Sequence, residues 1–217
     1  MNSIRLILVR HGNTFEAHEK PTQVGSRTDL PLTEKGRSQA EQMALFFESK
    51  KIRPAAIYRG PLKRQIETAR IIGQFFRTDD QLEPILSEID YGPWEGLTSE
   101  EIGAKWPQAY ADWTEEARWA ETVFGGKPPL KAIELWLIHL RKTYMPGDTV
   151  IAISSNGLIR FFYSFLKTEW ERLVQNRQME KLKVKTGHFC DLLLFDDRLE
   201  VNSWNAAPKF SSANETI

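Results

Sequence analysis

The chain has one cysteine in 217 residues, no excess of either charge, and no long apolar run. Cys190 has no partner within the chain, so a disulfide framework is excluded and the core must come from burial alone. Lys and Arg number 29 against 29 Asp and Glu, which argues against an acidic tail, general nucleic-acid binding or a polybasic membrane patch. Any anion must be held by locally placed charge. Leu6 to Val9 is the longest early apolar run, far too short for a signal segment or a membrane span. The default that remains is a cytoplasmic protein. Four scattered histidines, with His188 and Cys190 the nearest approach to a pair, give no zinc-type spacing, so no metal is expected.

What is present is an ordinary globular composition, 41% apolar and 27% charged, over a length that suits one domain with a sizeable insertion. Ile4 to Val9 is a β-branched apolar run stopping at Arg10-His11-Gly12, the pattern of a buried parallel strand. Thr33 reads as an N-cap, and Ala40, Met43, Ala44 and Phe47 mark one face of a helix ending near Lys51. Ala55 to Tyr58 is a second strand, followed by a helix expected to start at Pro61. Val150 to Ile153 is a third, leading through Ser154-Ser155-Asn156-Gly157 into an apolar helix expected to reach Phe165. Asp191 to Phe195 and Leu199 to Trp204 read as strands joined by a turn at Asp196-Asp197-Arg198.

Strands alternating with helices predict an α/β fold: a mostly parallel central sheet flanked by helices, with antiparallel edges allowed. Residues 91–130 break the alternation, carry four of the seven tryptophans, and include a capping box at Thr98-Ser99-Glu100-Glu101. They are expected to form a helical insertion over one sheet edge, either as a lid on the active-site side or as plain packing. One domain is expected over 1–207, with a polar tail over 208–217 that holds a formal glycosylation sequon at Asn214.

Arg10-His11-Gly12-Asn13-Thr14 stands at a strand end, where ligands of α/β sheets bind and where glycine lets the backbone approach closely. Neutral imidazole beside guanidinium suits attack on phosphorus, the cation holding the equatorial oxygens. Arg64 falls in the first turn of a helix, a position the macrodipole disfavours for a cation unless an anion is bound nearby. Glu88, just ahead of the insertion, offers a carboxyl group able to protonate a leaving oxygen.

Taken together, four features resemble the histidine phosphatase superfamily, the phosphoglycerate-mutase-like fold. They are Arg10 to Thr14, the Gly25 to Gly36 stretch, Leu62-Lys63-Arg64, and Gly92-Pro93-Trp94-Glu95-Gly96, in that order. The resemblance runs from about Arg5 to Trp204. It implies His11 as the phosphate acceptor, Arg10 and Arg64 as the phosphoryl clamp, Glu88 as general acid and then base, and neither metal nor organic cofactor. Asn13 is expected among the phosphate-binding groups.

This chain departs from the family pattern in three places. Where the family carries aliphatic-Ser-His-Gly-Gly, the chain reads Ile153-Ser154-Ser155-Asn156-Gly157, which puts Ser155 in place of the second active-site histidine. Losing one charged hydrogen bond there would weaken phosphate binding by roughly 1.5 to 3 kcal/mol. Asn156 and His188 are candidates to compensate; His18 is a weaker one, and His139 fits a helix surface. Ala17 stands where the mutases use asparagine, and Gly125-Gly126-Lys127-Pro128 replaces the family's Gly-Gly-Glu-Ser.

The leading expectation is a metal-independent phosphatase that hydrolyses a small phosphomonoester through a phosphohistidine. The alternatives are a pseudophosphatase retaining an anion pocket and, disfavoured by Ala17, a mutase.

Overall fold

A computed structural model of the chain describes residues 2–210. Six strands form one sheet in the order β3-β2-β4-β1-β5-β6. They are β1 (Ile4–Arg10), β2 (Ala56–Arg59), β3 (Asp80–Leu82), β4 (Thr149–Ser154), β5 (Phe189–Leu194) and β6 (Leu199–Ala206). β3, β2, β4 and β1 run parallel, while β5 pairs antiparallel with β1 and β6 with β5. The sheet is therefore mostly parallel with an antiparallel edge, as expected. β3 is too short and polar to have announced itself.

Alternation along β1 sends Leu6 and Leu8 into one core layer and Ile7 and Val9 into the other. The second layer is covered by α1 (Glu34–Ser49) and α2 (Lys63–Phe76), the first by α5 (Leu130–Thr143), α6 (Asn156–Phe162) and the insertion. Ala40, Met43, Ala44 and Phe47 form the buried face of α1, and Thr33 Oγ1 accepts from Gly36 N at its start. Full burial of a side chain such as Phe47 stabilises by about 1.5 to 3 kcal/mol, so this periodic face anchors the layer.

Several expected boundaries move: β5 runs Phe189–Leu194 rather than Asp191 to Phe195, β6 continues to Ala206, and α1 stops at Ser49. α2 begins at Lys63 rather than Pro61, because Asp29 Oδ1 accepts from Lys63 N and Gln65 Oε1 accepts from Leu62 N, which stays extended. α6 ends at Phe162 and tightens into a 3-10 turn over Tyr163–Phe165. α7 (Lys167–Gln175) was not among the expected helices.

The insertion holds α3 (Ser99–Lys105), opened by the Thr98–Glu101 capping box, and α4 (Pro107–Glu116). Its aromatics converge edge-to-face on Phe124, with Trp94 and Trp113 each at 4.9 Å and Tyr91 and Trp119 each at 5.2 Å between ring centroids. Packing therefore accounts for Trp94, Trp106 and Trp119, while Trp113 also reaches a cavity. The sequon at Asn214 and most of the expected tail lie outside the described residues. No described helix is long and apolar enough to cross a membrane.

Candidate active site

The carboxyl ends of the parallel strands open into a cavity of about 460 Å³. β1 and β4 end side by side, Arg10 opposite Ser154, and His11 N donates to Ser154 O at 3.1 Å. A Cβ at Gly12 would overlap the backbone of Gly36, so only glycine lets the turn after β1 pack against the start of α1.

His11 is buried, and its Nδ1 lies 2.7 Å from the carbonyl oxygen of Gly12. A carbonyl only accepts, so Nδ1 carries the proton and Nε2 keeps its lone pair. Burial, then the guanidiniums of Arg64 and Arg10, hold the imidazole well below its ordinary pKa. It is neutral at neutral pH.

Arg64 is held by the stretch that precedes it in sequence. Nη1 donates to Thr28 O at 2.8 Å and Nη2 to Gly25 O at 3.1 Å, while Thr68 Oγ1 ties the backbone of α2 to Gly12 N. Arg10 Nη1 donates to Val184 O at 2.6 Å. The Nε atoms of both arginines are buried without a protein partner, and among the described residues neither arginine forms an ion pair with a carboxylate. Unpaired guanidinium donors beside a buried imidazole are the marks of an anion site.

Glu88 follows the 3-10 turn Pro84–Leu86 and closes the other side. Its Oε1 accepts from Ile89 N at 2.9 Å and Leu158 N at 3.2 Å, its Oε2 from Gly157 N at 3.1 Å. Burial raises the carboxyl pKa, opposed by those amides and by Arg64 and Arg10. A Cβ at Gly157 would overlap both Tyr91 Oη and Glu88 Oε1, so glycine is required for the carboxyl group to sit on α6.

The structure brings Arg10, His11, Asn13, Arg64, Glu88 and Asn156 together around the cavity. Asn13 lines it, but its Nδ2 donates to Phe15 O. Asn156 Oδ1 accepts from Val184 N at 2.8 Å, which places the carbonyl that holds Arg10.

Two of the expected phosphate ligands stand off the cavity lining. Ser155 is wholly buried, with its Oγ 3.1 Å from Gln65 Nε2, and does not line the cavity. His188 does not line it either; its ring Nδ1 lies 3.3 Å from Thr186 O, and what it offers Arg10 is its own carbonyl, which accepts from Arg10 N. His18 and His139 are exposed.

Sequence reasoning missed Tyr91, Trp113 and Arg160, all on the cavity wall. Arg160 had a visible signal: one cation inside the apolar run Leu158-Ile159-Arg160-Phe161-Phe162. Its guanidinium lies 3.5 Å from the centre of the Trp113 ring, and Nη2 donates to Trp113 O at 3.3 Å. Burial pushes its pKa down to about 10, offset in part by Tyr91 and Glu88. Among the described residues no cluster of His, Cys, Asp and Glu has the makings of a metal site.

The model of the histidine phosphatase superfamily (branch 1) matches residues 6–207. The chain belongs to that superfamily. It is 32% identical to glucosyl-3-phosphoglycerate phosphatase of Mycobacterium tuberculosis, over 98% of this chain and 99% of that protein. It is 31% identical to phosphoserine phosphatase 1 of Hydrogenobacter thermophilus, over 75% of this chain and 76% of that one. The solved mycobacterial glucosyl-3-phosphoglycerate phosphatase in complex with inorganic phosphate superposes with a TM-score of 0.78 at 24% identity, covering 95% of this chain and 99% of that one, a likeness of fold. The chain is a phosphoric monoester hydrolase of this superfamily.

Proposed function

We propose that the chain is a metal-independent phosphatase that hydrolyses a small phosphomonoester through a phosphohistidine on His11. The observation that carries this reading is the 2.7 Å contact from His11 Nδ1 to Gly12 O, which leaves Nε2 as a neutral nucleophile between two guanidiniums. In the first step Nε2 attacks phosphorus and the bond from phosphorus to the leaving oxygen breaks. That oxygen takes the proton of Glu88, and Arg10 and Arg64 hold the equatorial oxygens. In the second step the Glu88 carboxylate takes a proton from water as the water oxygen attacks phosphorus. The bond from phosphorus to nitrogen breaks, which releases phosphate and restores His11.

The names of the relatives, for phosphoserine and glucosyl-3-phosphoglycerate, support a small phosphorylated metabolite as substrate. A single α/β domain over residues 1–207 acting in the cytoplasm suits this reading. A second reading, an anion-binding protein without turnover, is favoured by Ser155, whose hydroxyl is engaged with Gln65 rather than the cavity.

Turnover of p-nitrophenyl phosphate by the wild type and by His11→Ala, with and without EDTA, tests the proposal. Turnover that vanishes with His11 and ignores EDTA, together with an acid-labile, alkali-stable phosphoprotein, supports it. Turnover that survives His11→Ala sinks it, and none in the wild type leaves the second reading.

A further inference from the structure

Tyr91 is 3% exposed and lines the cavity, yet among the described residues its hydroxyl makes no hydrogen bond. A buried polar group in that position calls for a partner. The ring itself is fixed, because Trp113 meets it at 5.8 Å and Phe124 at 5.2 Å between centroids, both edge-to-face. Its hydroxyl and Glu88 Oε1 would both overlap a single methyl on Gly157, so the phenol stands beside the acid. Burial, then Glu88, holds the phenol pKa well above its ordinary value, and the group stays a neutral hydroxyl.

In the phosphatase reading, on which this inference rests, Glu88 must take a proton from water in the second step. Its Oε1 already accepts from Ile89 N and Leu158 N, whereas Oε2 accepts from Gly157 N alone and keeps one open position for that proton. The water carries a second hydrogen, and its lone pair faces phosphorus only if that hydrogen is held as well. The other ionisable groups acting on Tyr91 are the guanidiniums of Arg160, Arg10 and Arg64, which donate and never accept. Asn156 Oδ1 is engaged by Val184 N. The phenol oxygen is the free acceptor beside Glu88.

We propose that Tyr91 is a further catalytic residue that accepts the second hydrogen of the attacking water and so selects water over alcohols as acceptor of the phosphoryl group. As the water oxygen bonds to phosphorus, the bond from phosphorus to His11 breaks. One hydrogen passes to Glu88, and the other stays on the new phosphate oxygen, held by Tyr91 until phosphate leaves. An alcohol has a single hydroxyl hydrogen, which Glu88 takes, so it gains nothing from Tyr91.

Turnover of p-nitrophenyl phosphate in aqueous methanol reads this selection whichever step limits the overall rate. Release of p-nitrophenol counts every transfer, inorganic phosphate counts those to water, and the difference is methyl phosphate. Per mole of acceptor, the wild type should favour water. Tyr91→Phe keeps the ring against Trp113 and Phe124 and loses only the hydroxyl. Its methanol-to-water ratio should rise about three- to tenfold, the effect of one neutral hydrogen bond made in the transition state. A Tyr91 that only packs, or only tunes Glu88, would slow both acceptors alike and leave the ratio unchanged.

A ratio in Tyr91→Phe within about twofold of the wild type, less than a weak hydrogen bond gives, overturns the proposal. So does a wild type that uses methanol as readily as water, a result that needs no variant and decides even if Tyr91→Phe does not fold. Turnover that is absent in the wild type or survives His11→Ala sinks the phosphatase reading itself. His11-dependent turnover with an unchanged ratio sinks the role of Tyr91 alone.

Discussion

Gln65 Nε2 donates to Ser155 Oγ at 3.1 Å and to Leu86 O at 2.8 Å, so Ser155 joins the starts of α2 and α6 and stands off the cavity lining. Ser154 Oγ donates to the same Leu86 carbonyl at 2.7 Å, and three segments meet there without a charge. The contact is a neutral scaffold joint.

It follows that Ser155→Ala should cost stability rather than catalysis. One buried hydrogen bond is lost, about 0.5 to 1.5 kcal/mol, while kcat/KM should stay within about twofold. Urea unfolding and steady-state kinetics check both. A tenfold loss of kcat/KM with stability intact would put Ser155 back among the phosphate ligands. His188→Ala should also leave kcat/KM within about twofold, because its ring does not line the cavity.

The pH profile follows from two displaced groups. The folded-state pKa of His11 lies below the ordinary 6.5, so the acid limb of kcat/KM should fall at lower pH than for a free imidazole. The raised pKa of Glu88 should set the alkaline limb, and Glu88→Gln should abolish that limb. A depressed histidine pKa contributes stability above the unfolded value that is lost as pH falls toward the folded one. Between pH 7.5 and 5.5 the wild type should lose more stability than His11→Ala, at up to about 1.4 kcal/mol per pH unit. Parallel curves for the two proteins would contradict the buried neutral imidazole.

Glu88→Gln should also divide substrates by leaving group. Alkyl phosphates need a proton on the departing oxygen and should slow by about 10² or more, whereas p-nitrophenyl phosphate should slow far less. Uniform slowing would make Glu88 a positioning residue.

Gly157→Ala offers a steric test of the acid's seat. The new methyl would overlap Glu88 Oε1 and Tyr91 Oη together, so the carboxyl group must leave its two α6 amides. An overpacking cost of about 1 to 3 kcal/mol is expected, with kcat falling at least as far as in Glu88→Gln. Near-normal kcat would show that the α6 amides are not what aims Glu88.

The parts of this protein that were legible in sequence are those with a repeating or positional signature. The apolar run ending at Arg10-His11, the i, i+3, i+4 face of α1 and the capping box at Thr98 each read as they fold. That Arg10, His11, Arg64 and Glu88 would gather around one cavity was legible through residue type and order, and their roles are those proposed above. Less legible was where individual side chains turn. A serine after a strand gives no hint whether it faces a cavity or a glutamine on α2, because that depends on Gln65, 90 positions away. Arg160 was overlooked because an arginine in an apolar helix reads as a break in pattern until Trp113 is seen beneath it.

Trp113 has Phe124 against its edge at 4.9 Å and Arg160 over its face at 3.5 Å. A substitution deep in the insertion that shifts Phe124 therefore moves a wall of the cavity without touching any group that lines it. Proteins of this architecture can drift in what they accept through changes in their greasiest interior, while every polar residue around the nucleophile stays the same. A survey of lining residues alone would count such proteins as identical.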